Sequence, residues 1–489
     1  MTISKGSTLP KGNALLKGNA LLIDFGSTFT KVTAVEMEAG RLLGTARAAT
    51  TVDEDITIGL EAALRELGKS IGGLDYRVKL ACSSAAGGLR MVAVGLVPEL
   101  TAQAASMAAL GAGAKVLRTF SYEIGESEIA QMRALKPEII LLAGGTDGGN
   151  RDTILANAAT LSRMDLKLPV IVAGNAKAAP EACRILATGG HAVTVTENVL
   201  PSLGRINVEP AREIIREVFL RRIVRAKGLE KACRIVDQIV MPTPAAVLEA
   251  ARLISEDLGE LMALDVGGAT TDVYSVATGA PTVAGTIWKG LPEPYAKRTV
   301  EGDLGVRHGV AYLAEMVGAK RLAAITGLSE EAVRLGIWKR INNAVFLPED
   351  DINEQKLDDG LARAAVAIAL RRHAGVVTTQ YAPFGKLLTQ KGKDLTAINK
   401  LLVTGGPVIG AVDPMALVKG ALSDIAVPAV GTAVGMAAGT AREPAVLIPR
   451  NVEVIVDRHY IISAIGLLAR FDPTAALRLF NNEFSVSSE

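Results

Sequence analysis

Cysteine, histidine and aromatic residues are all scarce in this 489-residue chain. The three cysteines (Cys82, Cys183 and Cys233) lie far apart and form no C-x-x-C pair. That excludes a disulfide framework and an ordinary zinc–thiolate site, and it points to a reducing, cytoplasmic setting. The four histidines (His191, His308, His373 and His459) are scattered and no H-E-x-x-H occurs, so each reads as a packing or surface residue. Excess charge is also lacking. Lys+Arg is 53 and Asp+Glu is 51, and a net of +2 gives no electrostatic case for a nucleic-acid partner. No apolar run suits a signal peptide or a membrane span. The least polar stretches, Met91–Ala114 and Ala421–Thr440, are broken by Pro98, Glu99, Asp424 and Pro428 and read as buried helices.

Common nucleotide signatures are missing too. Gly68-Lys69-Ser70 ends like a Walker A loop, but the glycine needed five residues earlier is Ala63. No G-x-G-x-x-G follows a strand. A hexapeptide, KGNALL, occurs twice in tandem (Lys11–Leu16 and Lys17–Leu22) and is too short for a structural repeat.

What is present is glycine, 49 residues of it, in an apolar chain that alternates short apolar runs with helical patterns. This is α/β patterning, in a chain long enough for two to four domains at roughly 100–200 residues each. The runs Glu138–Ala143, Val170–Ala173 and Ala192–Thr196 look like successive strands of a parallel sheet. A helix is expected from Pro210 to Lys227, whose Arg216, Arg221, Arg222, Arg225 and Lys227 read as a solvated basic face, with a docking face for an acidic partner as the alternative. Lys289–Gly305, rich in Pro and Gly, reads as irregular.

Two segments resemble each other. In Ile23-Asp24-Phe25-Gly26-Ser27-Thr28-Phe29-Thr30-Lys31 and in Leu264-Asp265-Val266-Gly267-Gly268-Ala269-Thr270-Thr271-Asp272, an apolar strand delivers an aspartate. Glycines and hydroxyl residues then turn the chain into a second strand. Glycine lets backbone N–H groups approach phosphate oxygens, and hydroxyls add donors. The aspartates are candidates to hold metal-bound water or to orient an attacking water. A third element, Leu401–Pro407, runs a strand into Gly405-Gly406 at a helix start, and Gly431–Gly439 reads as a small-residue helix.

In that order these elements resemble the motifs of the actin-like ATPase superfamily. Asp24–Lys31 and Asp265–Asp272 look like its two phosphate motifs, Thr404–Pro407 like its adenosine motif, and Gly431–Gly439 like its second connecting helix. Together with Lys297-Arg298-Thr299-Val300-Glu301-Gly302-Asp303-Leu304-Gly305, the opening motif is similar to the glutamate mutase accessory (MutL/GlmL) family, unrelated to the mismatch-repair protein of that name.

The resemblance implies an α/β, two-lobed actin/Hsp70-like fold with an interlobe nucleotide cleft. It implies an ATPase, with ATP and Mg²⁺ as cofactors, that reactivates an adenosylcobalamin-dependent mutase or aminomutase. Implied catalytic residues are Asp265 and Thr270. Implied nucleotide-binding residues are Asp24, Gly26, Ser27, Thr28, Lys31, Gly267, Gly268, Thr271, Gly405 and Gly406, with Asp24 and Asp265 reaching metal through water. The base-off cobalamin signature D-x-H-x-x-G is absent, so no direct cobalamin contact of that kind is expected. The expected domains are an extension at 1–20, a first lobe of 21–254 plus about 428–489 with an α/β insertion at about 110–205, and a second lobe of 255–427. A small-molecule kinase and an actin-like filament protein are the alternative functions.

Overall fold

The computed structural model describes residues 17–51, 55–84, 89–223, 229–232, 235–344, 346–348, 350–382, 385–425 and 444–484. The expected helix at Gly431–Gly439 therefore lies outside the described residues.

The chain begins with β1 (Asn19–Phe25), β2 (Phe29–Glu36), β3 (Arg41–Ala49) and β4 (Tyr76–Ser83). It then lays down β5 (Arg90–Gly95), β6 (Lys115–Ser121), β7 (Ile139–Leu142), β8 (Val170–Val172) and β9 (Val193–Val195) before β10 (Gln238–Met241). Next come β11 (Leu261–Val266), β12 (Thr271–Val276), β13 (Thr286–Lys289) and β14 (Ala296–Glu301). The last strands are β15 (Val376–Ala382), β16 (Gly385–Lys391), β17 (Lys400–Thr404), β18 (Ala445–Val446) and β19 (Glu453–Val456).

Two sheets share one topology. The first has the order β10-β4-β1-β2-β3 and the second β14-β12-β11-β17-β19. In each, the first three strands in sequence pair antiparallel and the last two add in parallel beside the first. The central strands NALLIDF and LMALDV are almost wholly buried, as continuous apolar runs in a covered sheet should be. This repeated mixed order is the actin-like ATPase class that the motifs imply. A third sheet, β6-β5-β7-β8-β9, is wholly parallel. A smaller fourth has the order β13-β16-β15-β18.

By packing, one compact unit comprises Met1–Ala86, Leu220–Asp257 and Ile461–Glu489, and the other Gly87–Phe219 and Leu258–Tyr460. This departs from the division expected from sequence. The insertion starts about twenty residues earlier than expected and groups with the second sheet rather than the first. The reason is local: Arg298 of β14 donates to the Leu110 and Ala114 carbonyls, and Arg212 donates to the Ala296 carbonyl at 3.0 Å.

Three further readings are corrected. Met91–Ala114 is not all helix, because Met91–Gly95 belongs to β5 and only Gln103–Gly111 is α-helical. A continuous apolar run does not separate a buried parallel strand from a buried helix. Lys289–Gly305 is not irregular throughout, because Ala296–Glu301 forms β14 and pairs along β12. Its buried Lys297 and Arg298 hide the strand pattern. Arg216 is buried and paired with Glu213 at 2.7 Å, not part of a solvated face. Among the described residues no helix is long and apolar enough to cross a membrane.

Candidate functional site

In the first unit, β1 delivers Asp24 opposite Lys31 of β2 and beside Cys82 of β4. Asp24 is buried. Its Oδ1 accepts from the Thr243 hydroxyl at 2.6 Å and from the Cys82 thiol at 3.5 Å, and its Oδ2 from the Ser463 hydroxyl at 3.4 Å. The Lys31 ammonium stands 3.7 Å from Oδ2. Burial, and then the Asp24 charge beside it, push the Cys82 thiol well up. This cysteine is a neutral donor, not a nucleophile.

Beyond Asp24 the turn closes with Gly26 N–H donating to the Phe29 carbonyl at 3.1 Å. Ser27 and Thr28 at its tip are exposed. The Thr28 carbonyl accepts from Thr50 N–H at 2.8 Å. The structure thus brings Asp24, Gly26, Ser27, Thr28 and Lys31 together, and it adds Thr243 and Ser463, which sequence reasoning missed. Thr243 opens the helix Thr243–Leu258, and a Thr-Pro pair following a strand was the available signal.

In the second unit, β11 delivers Asp265 opposite Asp272 of β12 and beside Thr404 of β17. Asp265 is partly exposed. Gly267 N–H closes the turn onto the Thr270 carbonyl at 2.8 Å. The Thr270 hydroxyl donates to Asp272 Oδ2 at 3.0 Å. Thr271 faces inward instead. It is fully buried and its hydroxyl donates to the Leu304 carbonyl at 2.8 Å, which removes that hydroxyl from the tip.

The turn is braced from below. Val306 N–H reaches the Gly267 carbonyl at 3.3 Å, and Arg307 and His308 N–H groups reach the Gly268 carbonyl at 2.9 Å. Gly305 packs so closely that a Cβ there would collide with Ala269 and Gly268. A Cβ on Gly268 would touch only the Arg307 side chain, at 3.5 Å, so the fold itself does not demand glycine at that position.

Gly405 has φ +101° and packs against Val266, so this turn requires glycine twice over. It caps the short helix Gly406–Ile409. Beside it the Thr404 hydroxyl donates to Asp457 Oδ2 at 2.9 Å. Asp457 is buried at the end of β19 and is a second residue that sequence reasoning missed.

Asp24 and Asp265, one in each unit, are the candidate residues for holding metal. Both offer the carboxylate oxygens that Mg²⁺ prefers. The Asp24 oxygens already accept three hydrogen bonds, so contact through water suits them better than direct ligation. Among the described residues no group of three or more His, Cys, Asp or Glu is placed to hold a metal ion.

A family model described as MutL protein matches residues 20–484. The chain belongs to the MutL protein family. Protein MutL of Clostridium tetanomorphum is 42% identical over 466 residues, covering 94% of this chain and 97% of that one. Solved structures align at far lower similarity. Component A of Acidaminococcus fermentans (R)-2-hydroxyglutaryl-CoA dehydratase is 10% identical, covering 94% of this chain and 100% of that chain, with a TM-score of 0.31. Xylulose kinase from Bifidobacterium adolescentis is 12% identical, covering 95% of this chain and 93% of that chain, with a TM-score of 0.29. Scores this low carry no argument, and the fold class rests on the two strand orders and the family.

Proposed function

We propose that this MutL-family protein is an ATPase that reactivates an adenosylcobalamin-dependent mutase or aminomutase. The observation that carries the reading is the doubled device: two sheets of one strand order, each ending its first strand in an aspartate before a glycine–hydroxyl turn. Family membership supports the mutase partner.

In this reading Ser27 and Thr28 donate to phosphate oxygens, with the Gly26 and Gly268 backbone close to the chain of phosphates. Lys31 adds positive charge beside Asp24. Gly405 and Gly406 offer a side-chain-free surface to the adenosine. Asp265 orients the attacking water, and Thr270 faces the phosphate. Mg²⁺, held through water by Asp24 of one unit or by Asp265 of the other, would neutralise charge on the phosphate oxygens. Phosphoryl transfer asks mainly for positioning, which braced turns supply.

The test is recovery of an inactivated adenosylcobalamin mutase, given fresh cofactor, with this protein and Mg²⁺, with and without ATP. ATP-dependent recovery over many turnovers is expected. ATP hydrolysis without recovery of any mutase would overturn the reactivating role, and absence of ATP binding would overturn the whole reading.

A further inference from the structure

Arg298 lies in the segment Lys297–Gly305, for which ATP binding alone gives no role. It is buried on β14, and its guanidinium faces two ways. Toward the second turn, Nε donates to Asp272 Oδ1 at 2.8 Å, and Nη2 is ion-paired with the same oxygen at 2.6 Å. The other oxygen of that same carboxylate, Oδ2, accepts from the Thr270 hydroxyl. Toward the insertion, Nη1 donates to the carbonyls of Leu110 at 3.0 Å and Ala114 at 3.4 Å. These carbonyls lie at and just beyond the end of the helix Gln103–Gly111, where helix carbonyls lack intrahelical donors and a cation is favoured.

One buried guanidinium therefore links the turn to the inserted sheet through a chain of hydrogen bonds: Thr270, Asp272, Arg298, Leu110 and Ala114. We propose that Arg298 is a positioning residue that reports occupancy of the Gly267–Thr270 turn to the inserted sheet through the end of the helix Gln103–Gly111. This rests on the reading of that turn as a phosphate site.

The element with two arrangements is the Thr270 hydroxyl. It donates to Asp272 in the structure described, and a phosphate oxygen at the turn would compete for that proton. When the hydroxyl leaves, Asp272 is held by Arg298 alone and is free to shift with it. The buried Tyr274 hydroxyl beside Arg298 makes no hydrogen bond of good geometry, and so offers the guanidinium another partner. The insertion is tied to β14 a second time, by Arg212 through the Ala296 carbonyl, so a shift of β14 reaches it at two points. Because coupling is reciprocal, whatever binds the insertion would alter nucleotide affinity by the same factor.

The test is amide hydrogen exchange across residues 103–115 of the full-length protein, with and without a non-hydrolysable ATP analogue and Mg²⁺. Calorimetric titration measures binding in parallel. In the wild type, nucleotide should change exchange at 110–114 by about fivefold or more. Thr270→Val loses a donor to phosphate, so it should bind roughly tenfold more weakly and, at saturation, show the remote change lost, and Thr270→Ser should restore both. Arg298→Lys, which keeps the charge but not the fork, should likewise bind without the remote change, and it decides the matter if Thr270→Val fails to bind. Nucleotide binding by the wild type with no change at 110–114 would overturn the coupling, as would a remote change that survives in Arg298→Lys. No nucleotide binding by the wild type would instead overturn the phosphate-site reading, and the coupling with it.

Discussion

The turn after Asp24 and the turn after Asp265 connect equivalent strands of equivalent sheets, but segments outside the hairpins hold them at different points. At the first, the carboxylate is fixed, by Thr243, Ser463, Cys82 and Lys31, while the tip residues Ser27 and Thr28 are exposed. At the second, the tip is fixed, by Gly305 and the N–H groups of Val306, Arg307 and His308, while Asp265 is partly exposed. A buried carboxylate beneath an exposed tip would suit presenting donors to a ligand. A fixed tip with an accessible carboxylate suits orienting a water. The same strand order thus carries two differently anchored turns, and the difference comes from segments outside the two hairpins.

The largest effect expected from this difference is on hydrolysis. Asp265→Asn keeps the shape but loses the charge that would orient water, and should lower ATP turnover by about 100-fold or more while ATP still binds. Asp24→Asn should instead lower the melting temperature and weaken binding, because it disturbs a buried anchor with several donors. Steady-state ATPase rates, titration and thermal melts on both variants measure this. If Asp24→Asn slows turnover as much as Asp265→Asn with no change in melting, the two carboxylates are equivalent and the comparison fails.

Much of this was legible in the sequence where chemistry is local. The two Asp–Gly–hydroxyl hairpins, the Gly405-Gly406 helix start and the parallel strands at Glu138–Ala143 and Val170–Ala173 all stand out as short patterns. What was hidden depends on contacts distant in sequence. Thr243 and Ser463 reach Asp24 from 219 and 439 residues away, and no periodicity marks them. Thr271 sits beside Thr270 in sequence, but strand alternation turns it to the core and Leu304 takes its hydroxyl. β14 was obscured because Lys297 and Arg298 are charged yet buried. Their partners, Glu293, the His373 carbonyl and Asp272, become visible only in the folded chain.

The second unit also buries charge in a way that sets a pH dependence. Lys393 is fully buried and donates to the Ala277 and Tyr295 carbonyls at 2.7 and 2.8 Å. Burial lowers its pKa from 10.5 to about 7. The unfolded chain therefore binds this proton up to pH 10.5 while the native one has lost half of it at about pH 7. The burial cost is in full force below pH 7 and is relieved as pH rises from 7 toward 10.5. Its contribution to unfolding free energy should climb by about 2 kcal/mol between roughly pH 7 and 9. Denaturant titrations of wild type and Lys393→Met at both pH values check it. The wild type should gain that stability relative to the variant, and parallel pH curves would show that Lys393 is not held neutral.

The smallest effects give the sharpest test of the two tips, because they should cross. Thr28→Ala removes an exposed hydroxyl that only a ligand would use, so it should weaken ATP binding by about 1–2 kcal/mol and leave thermal stability unchanged. Thr271→Val removes a buried hydroxyl that only the fold uses. It orphans the Leu304 carbonyl and should reduce stability by about 1–2 kcal/mol. Its effect on ATP affinity should stay within a few tenths of a kcal/mol, since β12 keeps its register and the Gly267–Thr270 tip its braces. Titration and thermal melts on the pair give four numbers, two expected to change and two not. If Thr271→Val weakens ATP binding while melting as the wild type does, its hydroxyl faces the ligand and the inward placement is wrong. If Thr28→Ala changes neither quantity, the Thr28 hydroxyl has no part in holding phosphate, and its assignment to the ligand is wrong.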